Sequence, residues 1–413
     1  MAGVEKATLT PKLRFPEFQN APEWEEMELS KFAALIRERL GNNKYTLMSV
    51  AAGIGLVSQL EKFGREIAGS QYKSYLVIKN NDFAYNKSAT KEYPQGFIGL
   101  YSGKEPGAVP NSIFTCFRIN SNIVFPKYLD YLFFGNLHGK WLRNFITVGA
   151  RAHGSLNIDN NDLLALPVPL PQGSRALEEQ QKIADCLSSI DDLIAAQSQK
   201  LETLKTHKKG LMQQLFPREG ETVPRLRFPE FQNAPEWEEK TLGDTCEMQA
   251  GKFISAAAIF ENYGEGLYPC FGGNGLRGYT KTFNQSGKYS LIGRQGALCG
   301  NINFVDGDFY ATEHAVVATP KTGISTDWLF CNLNILNLNK FATGQAQPGL
   351  SIEVLERVAC AVPQGEDEQQ KIADCLSSID DLIAAQSQKL ETLKTHKKGL
   401  ILQLFPSTKE NPL

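Results

Sequence analysis

Three glycine-flanked loops hold the residues of this chain best suited to meeting a polyanion or the edge of a base. The first, Gly273-Asn-Gly-Leu-Arg-Gly278, has the GxGxxG form. A dinucleotide fingerprint of that form needs a strand before it, a helix after it and an acid about 20 residues further on. Here Tyr279-Thr-Lys-Thr-Phe283 follows, with no helical period. We therefore read the loop as a tight backbone turn presenting Asn274, Arg277 and Lys281, with a plain hairpin turn as the competing reading. The second loop, Ile292-Gly-Arg-Gln-Gly-Ala297, sets Arg294 and Gln295 between glycines, and the third, Thr343-Gly-Gln-Ala-Gln347, offers Gln345 and Gln347. Glycine lets a backbone approach phosphate closely, Arg matches guanine O6/N7, and Asn or Gln matches adenine N6/N7 in the major groove. An earlier counterpart of the third loop, Val148-Gly-Ala-Arg-Ala-His-Gly154, carries Arg151 and His153, and Lys73, Asn86, Lys87 and Lys104 are further candidates. For each residue alone, a solvated surface position is an equal reading; recurrence in glycine-flanked loops argues for contact.

Catalytic chemistry is thin by comparison. The five histidines are scattered, and two of them, His207 and His396, are equivalents within a repeat. GxSxG, HExxH and GxxxxGK[ST] are missing, which argues against a hydrolase or nucleotide-hydrolysing enzyme. The Asn-Pro-Pro-Tyr or Asp-Pro-Pro-Tyr tetrapeptide of DNA amino-methyltransferases is missing too. Eight cysteines without a CxxC pair read as reduced structural thiols rather than a zinc site or disulfides. The opening MAGVEKATLT lacks the apolar core of a signal peptide and no run of 18 apolar residues occurs, so the expectation is a cytoplasmic protein without a membrane span or metal. Net charge is −2, an unpromising total for nucleic-acid binding. Its distribution is uneven: residues 31–162 hold 16 Lys and Arg against 9 Asp and Glu, whereas residues 251–350 hold 7 against 6. The later region cannot bind DNA by charge alone and would need a basic partner.

What positions these loops is a duplicated framework. The run Glu179–Leu211 returns letter for letter at Glu368–Leu400, 189 positions on, and both copies lead into Leu-Phe-Pro. Apolar residues recur at Ile183, Leu187, Ile190, Ile194, Leu201, Leu204, Leu211 and Leu215, a heptad seam broken only by Gln197 and Lys208. The second copy repeats it at Ile372, Leu376, Ile379, Ile383, Leu390, Leu393 and Leu400. A helix of about 35 residues spans roughly 50 Å, and neither copy can bury its seam alone. A parallel pair would set Lys208 against Lys397. A centred antiparallel pair sets Lys208 beside Asp380 and Asp381, and Lys397 beside Asp191 and Asp192, so the antiparallel intrachain pair is expected.

The repeat extends beyond the helix. Leu13–Glu26 reappears identically at Leu226–Glu239, 213 positions on. The chain thus reads as peptide, insert, helix, and then the same again. The expected layout is a first mixed domain with its peptide over 1–175, a first helix over 176–217, a second domain over 218–365, and a second helix with tail over 366–413. By this pseudo-symmetry the two ends of the chain should lie close enough for circular permutation to be tolerated. Strand-like runs at Tyr75–Ile78, Phe97–Tyr101 and Ile113–Ile119, then a helical Lys127–Phe145, mark the first insert. The second has Lys288–Ile292, Asn301–Val305 and Ala315–Ala318, then a helical Thr326–Leu338. The fold class is α+β: two mixed α/β domains on a pair of long helices forming an antiparallel coiled coil, with a pseudo-twofold repeat.

The framework EEQQKIADCLSSIDDLIAAQSQKLETLKTHKKGLMQQLF, with Pro-Glu-Phe and Trp-Glu peptides before each insert, resembles the specificity subunit of type I restriction–modification systems. Tyr268–Tyr279, Ile292–Ala297 and Gly344–Leu350 are similar to a common target-recognition pattern of that family. The likeness runs from Leu13 to Phe405. The first insert departs from this glycine pattern, which implies a different half-site. The resemblance implies two target-recognition domains at opposite ends of an antiparallel helix pair, each reading half of a split double-stranded DNA site, with the helices as a ruler. It also implies two methyltransferase subunits that hold S-adenosylmethionine, translocase/nuclease subunits that use ATP and magnesium, and no catalytic residue or cofactor in this chain. A freestanding methyltransferase, which would use Gly273–Gly278 for cofactor, and a coiled-coil scaffold without sequence-specific DNA binding are the alternatives.

Overall fold

A computed structural model describes residues 9–51, 55–67, 71–148, 155–296, 298–344 and 348–406. The chain divides into two compact units, one of residues 1–196 with 389–413 and one of residues 197–388. The divisions fall inside two long helices, Ala176–Leu215 and Glu366–Leu404, so each unit owns part of both. Acidic side chains crowd the first turns (Glu178 and Glu179; Glu366, Asp367 and Glu368), where the helix dipole favours negative charge. Both helices are somewhat longer than the repeat alone suggests, because Gly210 and Gly399 stay helical and only Phe216-Pro217 and Phe405-Pro406 stop them.

In each unit the two helix segments run antiparallel. Within the first, Lys397 Nζ donates to Asp191 Oδ1 at 2.6 Å. Within the second, Lys208 Nζ donates to both carboxylate oxygens of Asp380 at 2.6 Å. The remaining polar break in the seam is satisfied by its own repeat equivalent, with the Gln197 amide donating to Gln386. Ile183, Leu187, Ile190 and Leu201, and likewise Ile372, Leu376, Ile379 and Leu390, are buried, each side chain contributing about 1.5–3 kcal/mol. Ile194, Leu204, Leu211, Ile383, Leu393 and Leu400 are half-buried.

The two repeated peptides make the same buried ion pair with the helices. Arg14 donates to Glu179 through Nε and Nη2 at 2.7 and 2.8 Å, and Trp24 Nε1 adds a third donor at 3.2 Å. Arg227 and Trp237 treat Glu368 the same way, at 2.7, 2.7 and 3.2 Å. The two glutamates are 1% and 3% exposed. Losing the Arg or the Glu would strand a buried charge at about 3–5 kcal/mol. Leu13 N–H donates to Gln403 O, and Leu226 N–H to Gln214 O, both at 2.9 Å.

Each insert carries two four-stranded sheets of one topology. The larger sheet of the first unit is ordered Ala33–Leu35, Phe114–Ile119, Asp82–Asn86, Phe97–Leu100, and that of the second Cys246–Ala250, Ala315–Pro320, Tyr289–Gly293, Ile302–Val305. The smaller sheets, Gly55–Ser58, Thr46–Ala51, Gly107–Val109, Leu76–Ile78 and Gly275–Thr280, Tyr268–Gly272, Asp308–Ala311, Gln285–Ser286, also match in order. Trp24, Tyr128, Phe83, Phe117 and Phe133 centre the first core; Trp237, Trp328 and Phe216 centre the second. The expected helical stretch Lys127–Phe145 is two helices, Pro126–Phe134 and Leu137–Leu142, because Asn136 between them takes a left-handed φ of 62°. Asn337, at φ 49°, likewise ends the helix Thr326–Ile335 early.

Candidate nucleic-acid interface

Because the inserts share a topology, their candidate residues can be matched bond by bond. Strands Asp82–Asn86 and Tyr289–Gly293 each lie third in their sheet. After the first, Lys87 N–H donates to Ile113 O at 2.9 Å and Lys87 O accepts from Leu156 N–H at 2.9 Å. After the second, Arg294 N–H donates to His314 O at 3.0 Å and Arg294 O accepts from Leu350 N–H at 2.9 Å. Their next residues, Ser88 and Gln295, bridge Ser155 and Gly349. Lys87 and Arg294 therefore occupy the same position in two copies of one fold. Each sits beside the segment that leaves its glycine loop, strand Leu156–Asn157 in the first unit and residues 348–350 in the second. Arg151, His153, Gln345 and Gln347 on those loops lie outside the described residues.

In the second unit the hairpin tip Gly273-Asn274 presses on the Arg294–Gln295 turn. A Cβ on Gly293 would collide with Gly273 O, and one on Gly273 would sit 3.1 Å from Gln295 O and 3.2 Å from His314 O. Gly275 and Gly278 take φ of 95° and 153°, a region that favours glycine. The GxGxxG is thus a hairpin that permits close backbone approach. Asn274, Arg277, Gln295 and His314 line one concavity of about 460 Å³ with the glycines. Lys281 lies past the hairpin, its Nζ 5.8 Å from the Phe260 ring, and does not line the concavity.

Beneath this surface, Arg294 Nε, Thr312 Oγ1, Glu313 Oε2 and His314 Nδ1 are buried without a partner among the described residues. His314 Nε2 lies 3.3 Å from Glu313 Oε1. Buried polar atoms are costly unless bonded, so these four offer unmet donors and acceptors to water or to a polar ligand. In the first unit, Lys87 is half-buried, and that burial holds its ammonium below the usual lysine range, with Cys116 opposing. Meeting an anion would restore what burial costs it. Asn86 Oδ1, next to it, is also buried and unpartnered among the described residues.

Lys73 falls on the same edge. Its neighbour Ser74 lies 3.3 Å from Asn111 Oδ1, two residues before Ile113, and Arg39 Nη1 donates to Ser74 O at 2.6 Å. Lys104 does not join them. It follows Gly103, whose carbonyl accepts from Asn80, at the far end of strand Asp82–Asn86, roughly 15 Å away along the strand. Sequence reasoning passed over Arg39, Glu313 and His314. Arg39 lies outside any glycine loop, and the Glu-His pair lies in the turn before strand Ala315–Pro320 with no motif around it. Among the described residues no group of three or more His, Cys, Asp or Glu could hold a metal, and no helix is long and apolar enough to cross a membrane.

Comparison with known proteins agrees with this duplicated arrangement. The family model described as the type I restriction modification DNA specificity domain matches twice, over residues 42–206 and 235–395. The EcoprrI type I restriction enzyme specificity subunit of Escherichia coli is 37% identical over 321 residues, covering 77% of this chain and 76% of that protein. The putative MjaX specificity subunit of Methanocaldococcus jannaschii is 26% identical over 93% of both chains. The crystal structure of a type I S subunit from M. genitalium superposes with a TM-score of 0.61 at 16% identity, covering 97% of this chain and all of that one; that likeness concerns the fold. With two specificity domains matched and a close relative aligned over three quarters of its length, the chain belongs to the type I restriction–modification DNA specificity family.

Proposed function

We propose that each insert reads one half of a bipartite duplex DNA site, and that the edge carrying Lys87 in the first unit and Arg294 in the second is the reading surface. The observation that supports this most is the bond-by-bond equivalence of those two basic residues in inserts whose sequences otherwise diverge. Arg294 suits a guanine, and Asn274, Gln295 and Arg277 suit base edges or phosphates beside it. Lys87, Asn86, Lys73 and Arg39 play that part in the first unit. Half-sites about one helical turn apart, roughly 34 Å, can be reached from one face of a duplex, and the long helices fix the gap.

The chain itself is non-catalytic in this reading. It docks two methyltransferase subunits along its framework. Those subunits hold S-adenosylmethionine and add basic surface where the second insert has little, and translocase/nuclease subunits with ATP and magnesium complete the complex. The setting is the cytoplasm. Selection from a random duplex library, with the methyltransferase subunits present and at stated salt, tests the reading. Two short half-sites with a fixed gap are expected. A single contiguous motif would mean that one insert does not read DNA, and no enrichment would leave a scaffold.

A further inference from the structure

The two units share a framework but close one seam differently. In the first, strand Pro167–Leu170 pairs with Glu25–Glu28; in the second, Ala359–Val362 pairs with Glu238–Thr241 in the same register. Leu29 N–H donates to Leu166 O, and Leu242 N–H to Val358 O. Backbone groups alternate sides along an antiparallel strand, so residues 167 and 169, and 359 and 361, face away from the partner strand. In the first unit both are proline and offer no N–H, which blocks the edge. In the second both are alanine. No hydrogen bond to either outward amide occurs among the described residues.

That edge opens into a cavity of about 830 Å³ lined by Phe216, Asn332, Ile335, Ala359 and Ala361. In the first unit the equivalent position of Thr222 is Leu9, which is buried in the core; Thr222 instead lines the cavity. Asn332 also faces it, 2% exposed, with its side chain against the Cys360 thiol and its amide holding a second N–H for the cavity. Lys340 is neutralised by Glu219 at 2.8 Å, leaving Arg218, Arg225 and Arg357 against Glu221 and Glu239 in the lining. Donors and positive charge are therefore in excess over a floor that is partly apolar.

We propose that an extended, carboxylate-bearing segment of the methyltransferase subunit adds as a strand to Ala359–Val362. Its backbone carbonyls accept from Ala359 and Ala361, another acceptor meets Asn332, and its carboxylate meets Arg225 and Arg357. Strand addition draws affinity from main-chain bonds and specificity from side-chain pockets. This rests on the reading that the chain docks that subunit.

The test measures binding of the purified methyltransferase subunit to the full chain by calorimetry. A359P/A361P imports the prolines that the first unit already carries in the same register, so the fold is expected to survive. Binding of one of the two methyltransferase subunits at least tenfold weaker with the other unchanged, and slowed amide exchange at Ala359 and Ala361 of the wild type on complex formation, are the expected results. R225E/R357E should weaken binding independently, and it decides the matter if circular dichroism finds the proline variant unfolded. Wild-type binding with variant affinities within twofold, or unchanged exchange at the two alanines, overturns the groove and leaves docking intact. Failure of the wild type to bind overturns the docking reading and the groove with it.

Discussion

Lys208 and Lys397 are the same residue in the same letter-for-letter repeat, yet the structure places unequal demands on them. The Lys397 side chain is 8% exposed, pairs with Asp191 at 2.6 Å, and lies 4.1 Å from the Phe134 ring centroid and 5.0 Å from that of Tyr131. The Lys208 side chain is 22% exposed against an Asp380 that is 44% exposed. Asp191→Asn would strand an ammonium in a nearly closed aromatic pocket. Breaking a fully buried pair costs about 3–5 kcal/mol; Asp191 is itself 39% exposed, and the two rings return about 0.5–1 kcal/mol each. A loss of about 2–3 kcal/mol is therefore expected. Asp380→Asn breaks a pair that water already screens, and about 0.5–1 kcal/mol is expected there. Urea unfolding followed by far-UV circular dichroism reads both. Adding Lys397→Met to Asp191→Asn should recover most of the loss, because it removes the stranded charge rather than a contact. Equal losses at the two aspartates, or no recovery in the double variant, would refute the reasoning that the inserts set the cost of an identical framework pair.

Three further outcomes follow from the geometry. Arg294→Ala should relax discrimination at one base pair of one half-site by about 1–3 kcal/mol, roughly 5- to 150-fold, and leave the other half-site unchanged; Lys87→Ala should act on the other half. Library selection on each variant reads this. Removing one heptad from both long helices shortens each by about 10 Å, or about 3 base pairs of duplex, and a gap unchanged in selection would defeat the ruler. His138 is fully buried, donates from Nε2 to Gly96 O at 2.9 Å, and burial pushes its pKa down to about 4. Its folded pKa lies below the unfolded value of about 6.5, so the unfolded chain binds the extra proton first. Stability is full above pH 6.5 and falls by about 2 kcal/mol on reaching pH 5. Unfolding of wild type and His138→Gln at pH 7.5 and 5 checks this, since the variant should lose that slope.

The framework was legible for a simple reason. Heptad spacing and a misplaced lysine are local signals, and a duplicated sequence supplies its own partner. Lys208 beside Asp380 and Lys397 beside Asp191 followed from counting alone. The proposed reading surface was legible only in part. Glycine-flanked Arg294, Gln295 and Asn274 do converge, because glycines 273 and 293 let two turns touch. Lys104 and Lys87 are both lysines near turns, and nothing local tells that the two turns lie at opposite ends of one strand. The break at Asn136 was hidden because a single left-handed residue leaves the apolar period on either side intact.

The duplication, the antiparallel seam, the lack of catalytic motifs and the family resemblance all depend on residue identity and spacing along one chain, and can be read from it directly. It took the folded chain to reveal that two dissimilar inserts share one topology, and that Lys87 and Arg294 are one position. The folded chain also decided that identical framework lysines sit in unlike surroundings, and that two alanines leave open an edge their proline equivalents close. These depend on which backbone groups face each other across sheets, and pairing between strands far apart in sequence leaves no mark on the order of residues within either one.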